Sequence, residues 1–282
     1  MDAALARAAA WLRTADGLLI TAGAGMGIDS GLPDFRGPGG FWAAYPALGR
    51  AGIRFEAIAN PDAFRRDPRQ AWGFYGHRLA LYRATQPHAG FAMLREIAAT
   101  MANGAFVFTS NVDGQFQKAG FAAERICEIH GSIHHLQCAD GCSERIWRAD
   151  DFQPVIDDEN CHLLNELPHC PACGALARPN ILMFDDWGWV DRRSALQEDH
   201  LAQWLAKVRN LLVIEIGAGT AIPSVRDFSE NCGGQLVRIN PDEAEVPGNG
   251  RAIPLPLAGL AGITLLHQSL AKEASTRSLG KA

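Results

Sequence analysis

Short apolar runs alternate with helix-like stretches along most of this chain. The runs lie at residues 18–21, 106–109, 211–216, 236–239 and 263–266, and several are followed at once by Gly, Asn or Ser. Such alternation is typical of a parallel sheet covered by helices on both faces. Because ligands of these sheets bind beyond the carboxyl ends of the strands, the candidate site residues are those that directly follow each run.

Two segments interrupt the alternation. Residues 37–85 are rich in aromatic residues and compatible with helices, whereas residues 134–178 hold paired cysteines and no long periodic run. We therefore predict an α/β fold in which residues 1–36, 86–133 and 179–282 form a discontinuous Rossmann-like domain. The two remaining segments are predicted to be a helical insertion and a small zinc-binding module.

Charge and composition exclude some classes of function. The chain has 282 residues and a net charge of -5, so it lacks the basic excess that neutralises phosphates, and we expect no nucleic-acid partner. The sequence has no run of about eighteen apolar residues, the length that a membrane span requires, so we expect no membrane association.

Seven cysteines are an odd number, and four fall into two close pairs, which favours metal binding in a reducing compartment over disulfides. We therefore expect a cytoplasmic protein whose partners are small molecules or proteins.

The two cysteine pairs have the spacing of a zinc site. Cys138 and Cys142 form the first pair, and Cys170 and Cys173 form the second. Four thiolates complete a tetrahedral Zn²⁺ site and leave no open position for water, which predicts a structural role. The alternatives are unligated thiols or disulfides, and Cys161, His162 or His169 could substitute for one of the four ligands.

A glycine-rich turn follows the first apolar run. Its backbone amides could approach a pyrophosphate closely, although a tight turn that binds nothing is the alternative. Residues 23–37 resemble the sirtuin signature, which is close to GAGxSxxSGIPDFRG, and they depart from it mainly at Gly27, where the family usually has serine. This resemblance implies that NAD is the co-substrate. The implied NAD-binding residues in this stretch are Gly23, Ala24, Gly25, Met26, Asp34, Phe35 and Arg36.

Polar residues also follow the next two predicted strands. The segments Thr109-Ser-Asn-Val-Asp113 and Glu128-Ile-His-Gly-Ser132 resemble the sirtuin motifs TQNID and HGS. By that resemblance His130 is the catalytic base, and Asn111 and Asp113 hold the nicotinamide and its ribose. An imidazole suits this role because its reference pKa lies near neutral pH. A hydrogen-bonded core histidine is the alternative, and Ser110 replaces the glutamine of the family motif.

The second half of the nucleotide site is predicted after two later strands. Gly217, Gly219 and Thr220 follow the run at 211–216, and Asn240 follows the run at 236–239. These positions are similar to the sirtuin elements GTSLxVxP and INxE, which line the phosphate and adenosine half of the cofactor. Asn240 is the implied ribose partner, although an ordinary turn would have the same local sequence.

The predicted substrate groove lies at residues 178–184, which resemble the sirtuin element RPxVVxFGE. In that family the segment pairs with the peptide by strand addition, so Met183 and Phe184 are implied to contact substrate. Asp185 and Asp186 replace the Gly-Glu of the motif. They could favour a basic peptide, or they could form a solvated acidic turn.

Tyr75 and Arg78 reproduce the Tyr-x-x-Arg pair with which one sirtuin class binds the carboxylate of succinyl- or malonyl-lysine. A phenol and a guanidinium one helical turn apart can hold a carboxylate together. Because an Arg on a helix is often only solvated, a plain acetyl preference stays open.

The resemblance as a whole implies an NAD-dependent protein-lysine deacylase. Its substrate would be acetyl-lysine, with succinyl- or malonyl-lysine as the alternative, in proteins or peptides. Its products would be nicotinamide and O-acyl-ADP-ribose. A sirtuin-fold NAD glycohydrolase or ADP-ribosyltransferase is the alternative, favoured by Gly27, Ser110 and the altered segment after Phe184. An NAD-sensing module without turnover is a third reading, and the retained histidine argues against it.

Overall fold

A six-stranded parallel sheet forms the centre of the molecule. Across it lie β11 (Ala252–Leu255), β10 (Gln235–Ile239), β9 (Leu211–Ile216), β1 (Gly17–Ala22), β2 (Ala105–Thr109) and β3 (Ile126–Glu128), in that order. All neighbouring pairs are parallel. The computed structural model describes residues 1–33 and 37–279, with side chains described for residues 1–33 and 40–270.

Helices cover both faces of this sheet. The helices of the described residues, including those of the helical insertion, are α1 (Asp2–Thr14), α2 (Gly25–Ile28), α3 (Gly37–Ala44), α4 (Pro46–Arg50), α5 (Phe55–Ile58), α6 (Pro61–Arg66), α7 (Pro68–Ala84), α8 (Ala89–Ala99), α9 (Gln115–Lys118), α10 (Arg192–Leu205), α11 (Ser224–Asn231) and α12 (Gly259–Leu279), with a short 3₁₀ turn at Ala123–Arg125. Among the described residues, none of these helices is both long enough and apolar enough to span a bilayer.

The alternation of side chains in β1 explains why both faces are covered. Leu18 and Ile20 pack with α1, α8 and α12 in one hydrophobic cluster, whereas Leu19 packs with α10 and α11 in another. Successive residues of a strand point to opposite faces, and every residue of β1 is buried. A continuous apolar strand of this kind is typical of a parallel sheet with helices on both sides, as predicted.

Four of the five predicted strands are confirmed to within one residue at each end. The prediction of a strand at residues 263–266 is wrong, because these residues lie in α12. Ile263 and Leu266 are three residues apart and both fully buried, which is the spacing of one helix face. Two strands of this sheet, β3 and β11, are not among the five predicted runs, and β11 contains Pro254. Proline is tolerated there because β11 is the edge strand of the sheet.

A second, smaller layer contains the cysteine-bearing segment. The antiparallel strands β5 (Ile146–Arg148), β4 (Gly131–Cys138) and β8 (Ala177–Ile181) form one sheet, and β6 (Ile156–Asp157) pairs with β7 (His162–Leu163).

This smaller layer shares a hydrophobic cluster with the helical insertion. Trp72 and Tyr75 of α7 pack in it with Leu136 of β4 and Leu163 of β7. The indole N–H of Trp72 also donates to the carbonyl of Ala177, at 3.0 Å. The helical insertion and the cysteine-bearing segment therefore bury one another, and the division of the chain into three units stays a prediction.

Candidate active site

The two glycine-rich turns contact each other at the carboxyl edge of the sheet. The amide of Gly25 donates to the carbonyl of Gly217 at 3.0 Å. A Cβ atom on Gly23 would lie 2.7 Å from the Cα of Ala218, and one on Gly217 would lie 2.3 Å from the Cα of Gly25. Since no side chain fits between the turns, their backbones remain bare where β1 and β9 end.

His88 holds the first turn in place, and the sequence did not identify it as a site residue. Its Nδ1 accepts from the amide of Gly90 at 3.0 Å, so its Nε2 carries the proton and donates to the carbonyl of Met26, also at 3.0 Å. Its backbone amide donates to the Ser30 hydroxyl at 2.9 Å. Burial lowers the pKa of His88, which keeps this ring neutral as the two bonds require.

The departure at Gly27 has a packing explanation. A Cβ there would lie 2.9 Å from a terminal methyl of Leu32, so the leucine fills the space that a larger residue would need. The predicted NAD-binding residues Asp34, Phe35 and Arg36 lie outside the described residues.

Asn111 joins the end of β2 to the first turn. Its side-chain amide donates to the carbonyl of Gly23 at 2.9 Å, and its backbone amide donates to the Thr109 hydroxyl at 3.0 Å. The structure therefore brings Asn111 to the same edge as the glycine-rich turns, as the order of strands predicts.

His130 follows β3 and lies half-buried at this edge. Burial lowers the pKa of its imidazole, and a hydrogen bond to the backbone of Ser110 opposes that shift in part. The ring is therefore neutral at pH 7 and can accept a proton, which a general base must do. Because Ser110 meets the ring through its backbone, its smaller side chain does not remove this contact.

Asp113 is buried next to Asn111. One carboxylate oxygen accepts a hydrogen bond, at 2.9 Å, from the amide of Gln115, which is the first residue of α9. Burial raises the pKa of Asp113 to about 6, although the bond from Gln115 and the positive charge of Arg78 oppose the shift. A buried acid with such a perturbed pKa, close to Asn111, is a candidate for function.

Asn240, which the sequence predicts to bind the adenosine ribose, lies in the turn after β10. Asn240 is fully buried, its amide nitrogen donates to the carbonyl of Ala218 at 3.0 Å, and its oxygen accepts two backbone amides. The carboxylate of Glu243 accepts instead from the amide of Thr220 at 3.2 Å and from its hydroxyl. Asn240 therefore shapes the turn, and Glu243, which the sequence did not identify, lies at its exposed surface.

The predicted substrate segment is fixed by a buried ion pair. Arg178 binds both carboxylate oxygens of Asp186, at 2.7 and 2.8 Å, and the two side chains are 2% and 0% exposed. Asp186 is therefore not available to attract a basic peptide. Asp185 is exposed and has φ of +53°, a conformation that suits the glycine found there in the family motif.

Met183 and Phe184 run from β8 toward the helical insertion. Met183 is buried, and Phe184 donates its amide to the carbonyl of Ala59 at 2.9 Å. Its ring also contacts Phe55 edge to face, with centroids 5.8 Å apart. The segment after β8 is therefore anchored on α5.

Tyr75 and Arg78 belong to α7, and both side chains are buried. The Tyr75 ring stacks on Phe64 with centroids 5.6 Å apart. The guanidinium of Arg78 lies over aromatic rings and donates to the Tyr82 hydroxyl through Nε and Nη2, at 3.0 and 2.8 Å. A third residue, Tyr82, thus fixes the guanidinium that the sequence predicts to bind a carboxylate.

The four paired cysteines converge as a zinc site requires. The Sγ atoms of Cys138 and Cys173 are 3.7 Å apart, those of Cys142 and Cys170 are 3.6 Å apart, and all four lie within 4.8 Å of one another. Sulfurs bound at about 2.3 Å to one tetrahedral ion are separated by about 3.8 Å, so the spacing fits Zn²⁺ and excludes disulfides. Cys161 is buried in the core, outside this cluster.

Together, the parallel sheet, the paired glycine-rich turns and the polar residues at one edge define a Rossmann-like dinucleotide-binding protein with a four-cysteine module. The profile of the Sir2 family matches residues 23–214. An NAD-dependent protein deacylase of Pyrococcus furiosus is 32% identical, over 77% of this chain and 79% of the relative. One from Deinococcus radiodurans is 32% identical, over 87% of this chain and 91% of the relative.

Solved structures give the same result for the fold. A Sir2 homologue in complex with NAD aligns with a TM-score of 0.69 and 24% identity, over 95% of this chain and 94% of that chain. A mutant Sir2 homologue in complex with ADP-ribose also has a TM-score of 0.69 at 24% identity, over 95% and 97% of the two chains. The chain belongs to the Sir2 family.

Proposed function

We propose that this protein is an NAD-dependent protein-lysine deacylase that releases nicotinamide and O-acyl-ADP-ribose. One observation carries the proposal: His130 is neutral, bonds to the Ser110 backbone, and lies at the same edge as Asn111, which is bonded to the glycine-rich turn. Relatives named as NAD-dependent protein deacylases support it.

Different residues at this edge of the sheet would bind different parts of the NAD molecule. The backbones at residues 23–26 and 217–220 would let the phosphates approach closely, because no side chain fits between the two turns. Asn111 and Asp113 would hold the nicotinamide and its ribose. Because Asn240 is fully engaged with backbone groups, Glu243 is the better candidate for the adenosine ribose, since a carboxylate accepts hydrogen bonds from ribose hydroxyls.

The chemical role proposed for this chain's own residues is a proton transfer to the imidazole of His130. The carbonyl oxygen of the acyl-lysine bonds to the ribose carbon as nicotinamide leaves with the electron pair of its bond. His130 would then accept a proton from a ribose hydroxyl, so that the hydroxyl oxygen can attack the acyl carbon. That proton would pass to the lysine nitrogen, which leaves as the amine. A water molecule would add to the acyl carbon, the bond from the acyl carbon to the other ribose oxygen would break, and that oxygen would take the remaining proton, giving O-acyl-ADP-ribose. Zn²⁺ held by the four cysteines would be structural, because four thiolates leave no open coordination position.

The substrate would be an acylated lysine in a protein or peptide, bound along the segment from β8 to Phe184. We further propose an acidic acyl group as the preferred one. Its carboxylate would meet Tyr75 and Arg78, and Tyr82 holds the guanidinium in a fixed position. Arg78 also lies near enough to lower the pKa of Asp113, which supports a location close to the nicotinamide. The reduced cysteines are consistent with the cytoplasm as the proposed location.

The test is to incubate the protein with NAD and matched acetyl- and succinyl-lysine peptides and to identify the products by mass spectrometry. We expect nicotinamide and O-acyl-ADP-ribose in equal amounts, and no turnover by His130→Ala. His267→Ala is the matched control, because this histidine pairs with Glu96 on the outer helices and should retain full activity. Free ADP-ribose formed at the same rate without peptide would refute deacylation and identify a glycohydrolase.

A further inference from the structure

Strand β4 contains a bulge that directs one histidine out of its sheet. The pair Ser132 and Asn180 is followed in the register by the pair Leu136 and Pro179. Strand β4 thus advances four residues where β8 advances one, and residues 133–135 are the extra ones. Bulges often redirect a side chain beside an active site.

The histidine redirected by this bulge, His134, bonds to the backbone of the nicotinamide side. Its Nε2 lies 2.9 Å from the carbonyl oxygen of Asp113, and since a carbonyl only accepts, Nε2 carries the proton. The neighbouring amide of Ile133 donates to the carbonyl of Val112 at 3.0 Å. The carbonyl groups of Val112 and Asp113, just before α9, are therefore bonded by Ile133 and His134 of the bulge.

The next residue of the loop is shaped to receive the same ring. Gly114 has φ of +72°, and a Cβ there would lie 2.8 Å from both Cδ2 and Nε2 of His134. The ring therefore packs directly on the backbone that carries Asp113. Burial lowers the pKa of His134, and the charges of Arg83 and Arg148 also lower it, whereas the hydrogen bond to the Asp113 carbonyl and the charge of Glu128 oppose the shift. The net direction is downward, so the ring is neutral at pH 7 and donates through Nε2.

We propose that His134 is a positioning residue for the nicotinamide pocket: it fixes the backbone of Asp113 so that the buried carboxylate faces the nicotinamide. This inference rests on the proposed role of Asp113. The strand that carries His134 also connects His130 to the cysteine ligand Cys138, so the bulge links the four-cysteine module to the nicotinamide side of the site.

The test uses four variants of the zinc-loaded, full-length protein. His134→Phe keeps a ring and removes the donor, whereas His134→Gln places an amide N–H at about the reach of Nε2. His134→Asn has the same amide on a shorter side chain that does not reach the carbonyl. His135→Phe is the matched control, because it removes an imidazole from the same bulge whose Nδ1 has no hydrogen-bond partner within the described part of the chain.

The measured quantities are the inhibition constant of nicotinamide, the rate of nicotinamide exchange into NAD, and the KM for the acyl-peptide. For His134→Phe and His134→Asn we expect the nicotinamide inhibition constant to rise about fivefold, which corresponds to the loss of one neutral hydrogen bond. The KM for peptide should not change. His134→Gln should restore the wild-type inhibition constant, and His135→Phe should match the wild type.

A parallel measurement on Asp113→Asn separates the two proposals. If nicotinamide inhibition changes in Asp113→Asn and not in His134→Phe or His134→Asn, the positioning role of His134 is wrong and that of Asp113 stands. If Asp113→Asn leaves nicotinamide inhibition unchanged, the proposed role of Asp113 fails, and the role of His134 fails with it. Equal losses in the Gln and Asn variants would also overturn the inference, because only the longer amide can replace Nε2.

Discussion

Replacing Asp186 with Asn should destabilise the protein strongly, although both side chains have nearly the same shape. Asp186 and its partner Arg178 are 0% and 2% exposed, and two hydrogen bonds of 2.7 and 2.8 Å join them. The carboxylate also accepts from the amides of Met183 and Gly188, at 3.3 and 3.2 Å. The substitution leaves the buried guanidinium without its counter-charge and replaces one acceptor oxygen by a donor.

Removing one partner of a buried ion pair costs about 3–5 kcal/mol. Because the asparagine oxygen can still accept one bond from the guanidinium, we expect the lower end of that range, about 3 kcal/mol. A chain of this size loses roughly 2–4 °C in Tm for each kcal/mol, which predicts a decrease of roughly 6–12 °C.

The assay is urea denaturation followed by circular dichroism, with zinc present throughout. Asp185→Asn is the matched control, since it makes the same chemical change one residue away, at an exposed position where φ of +53° suits asparagine. The control should change the free energy of unfolding by less than about 0.5 kcal/mol. If Asp186→Asn falls within the same limit, the ion pair does not carry the stability assigned to it here.

Three further predictions concern the acyl pocket, the nicotinamide pocket and the cysteines. Tyr75→Phe and Arg78→Met should each reduce kcat/KM for succinyl-lysine at least tenfold more than for acetyl-lysine, because each removes about 1.4 kcal/mol of charge-assisted hydrogen bonding to the carboxylate. Equal losses on both peptides would contradict carboxylate binding by Tyr75 and Arg78. Since burial raises the pKa of Asp113 to about 6, its ionisation opposes folding, and this cost accrues as the pH rises from about 4 to about 6. The acid limb of kcat/KM should therefore contain a titration near pH 6 that Asp113→Asn removes, and a limb unchanged in this variant would assign the titration elsewhere. Cys142→Ser should lower the zinc content measured by mass spectrometry, whereas Cys161→Ala should keep one zinc per chain; loss in both would place Cys161 among the ligands.

The sequence predicts much of the sheet because local pattern and tertiary environment agree there. The residues of β1 and β9 are mostly apolar, with Thr21 and Glu215 as exceptions, and each strand is followed at once by glycine, so both the strands and the turns can be predicted from neighbouring residues. The cysteine pairs can also be recognised from the sequence, because the spacing of metal ligands within each pair is a local property. These elements needed no knowledge of distant contacts.

Elements that depend on distant partners could not be predicted in the same way. The helix at residues 259–279 and the edge strand before it were misassigned because a short apolar run fits either structure, and Pro254 is allowed only at an edge. Glu243 bonds to Thr220, which is 23 positions away in the sequence, and His134 bonds to Asp113, which is 21 positions away. The sequence contains both residues but not the bulge or the turn that directs them, so no local signal identifies them.

The shared hydrophobic cluster of α7 and the cysteine-bearing segment limits how this chain could be shortened. Trp72 and Leu136 belong to segments more than sixty positions apart, yet each covers the other. Trimming either segment alone would uncover a large apolar surface on the one that remains, and such surfaces promote aggregation. A minimal nucleotide-binding fragment would therefore have to lose both insertions at once, with two new short loops that each join the point where the chain leaves the sheet to the point where it re-enters.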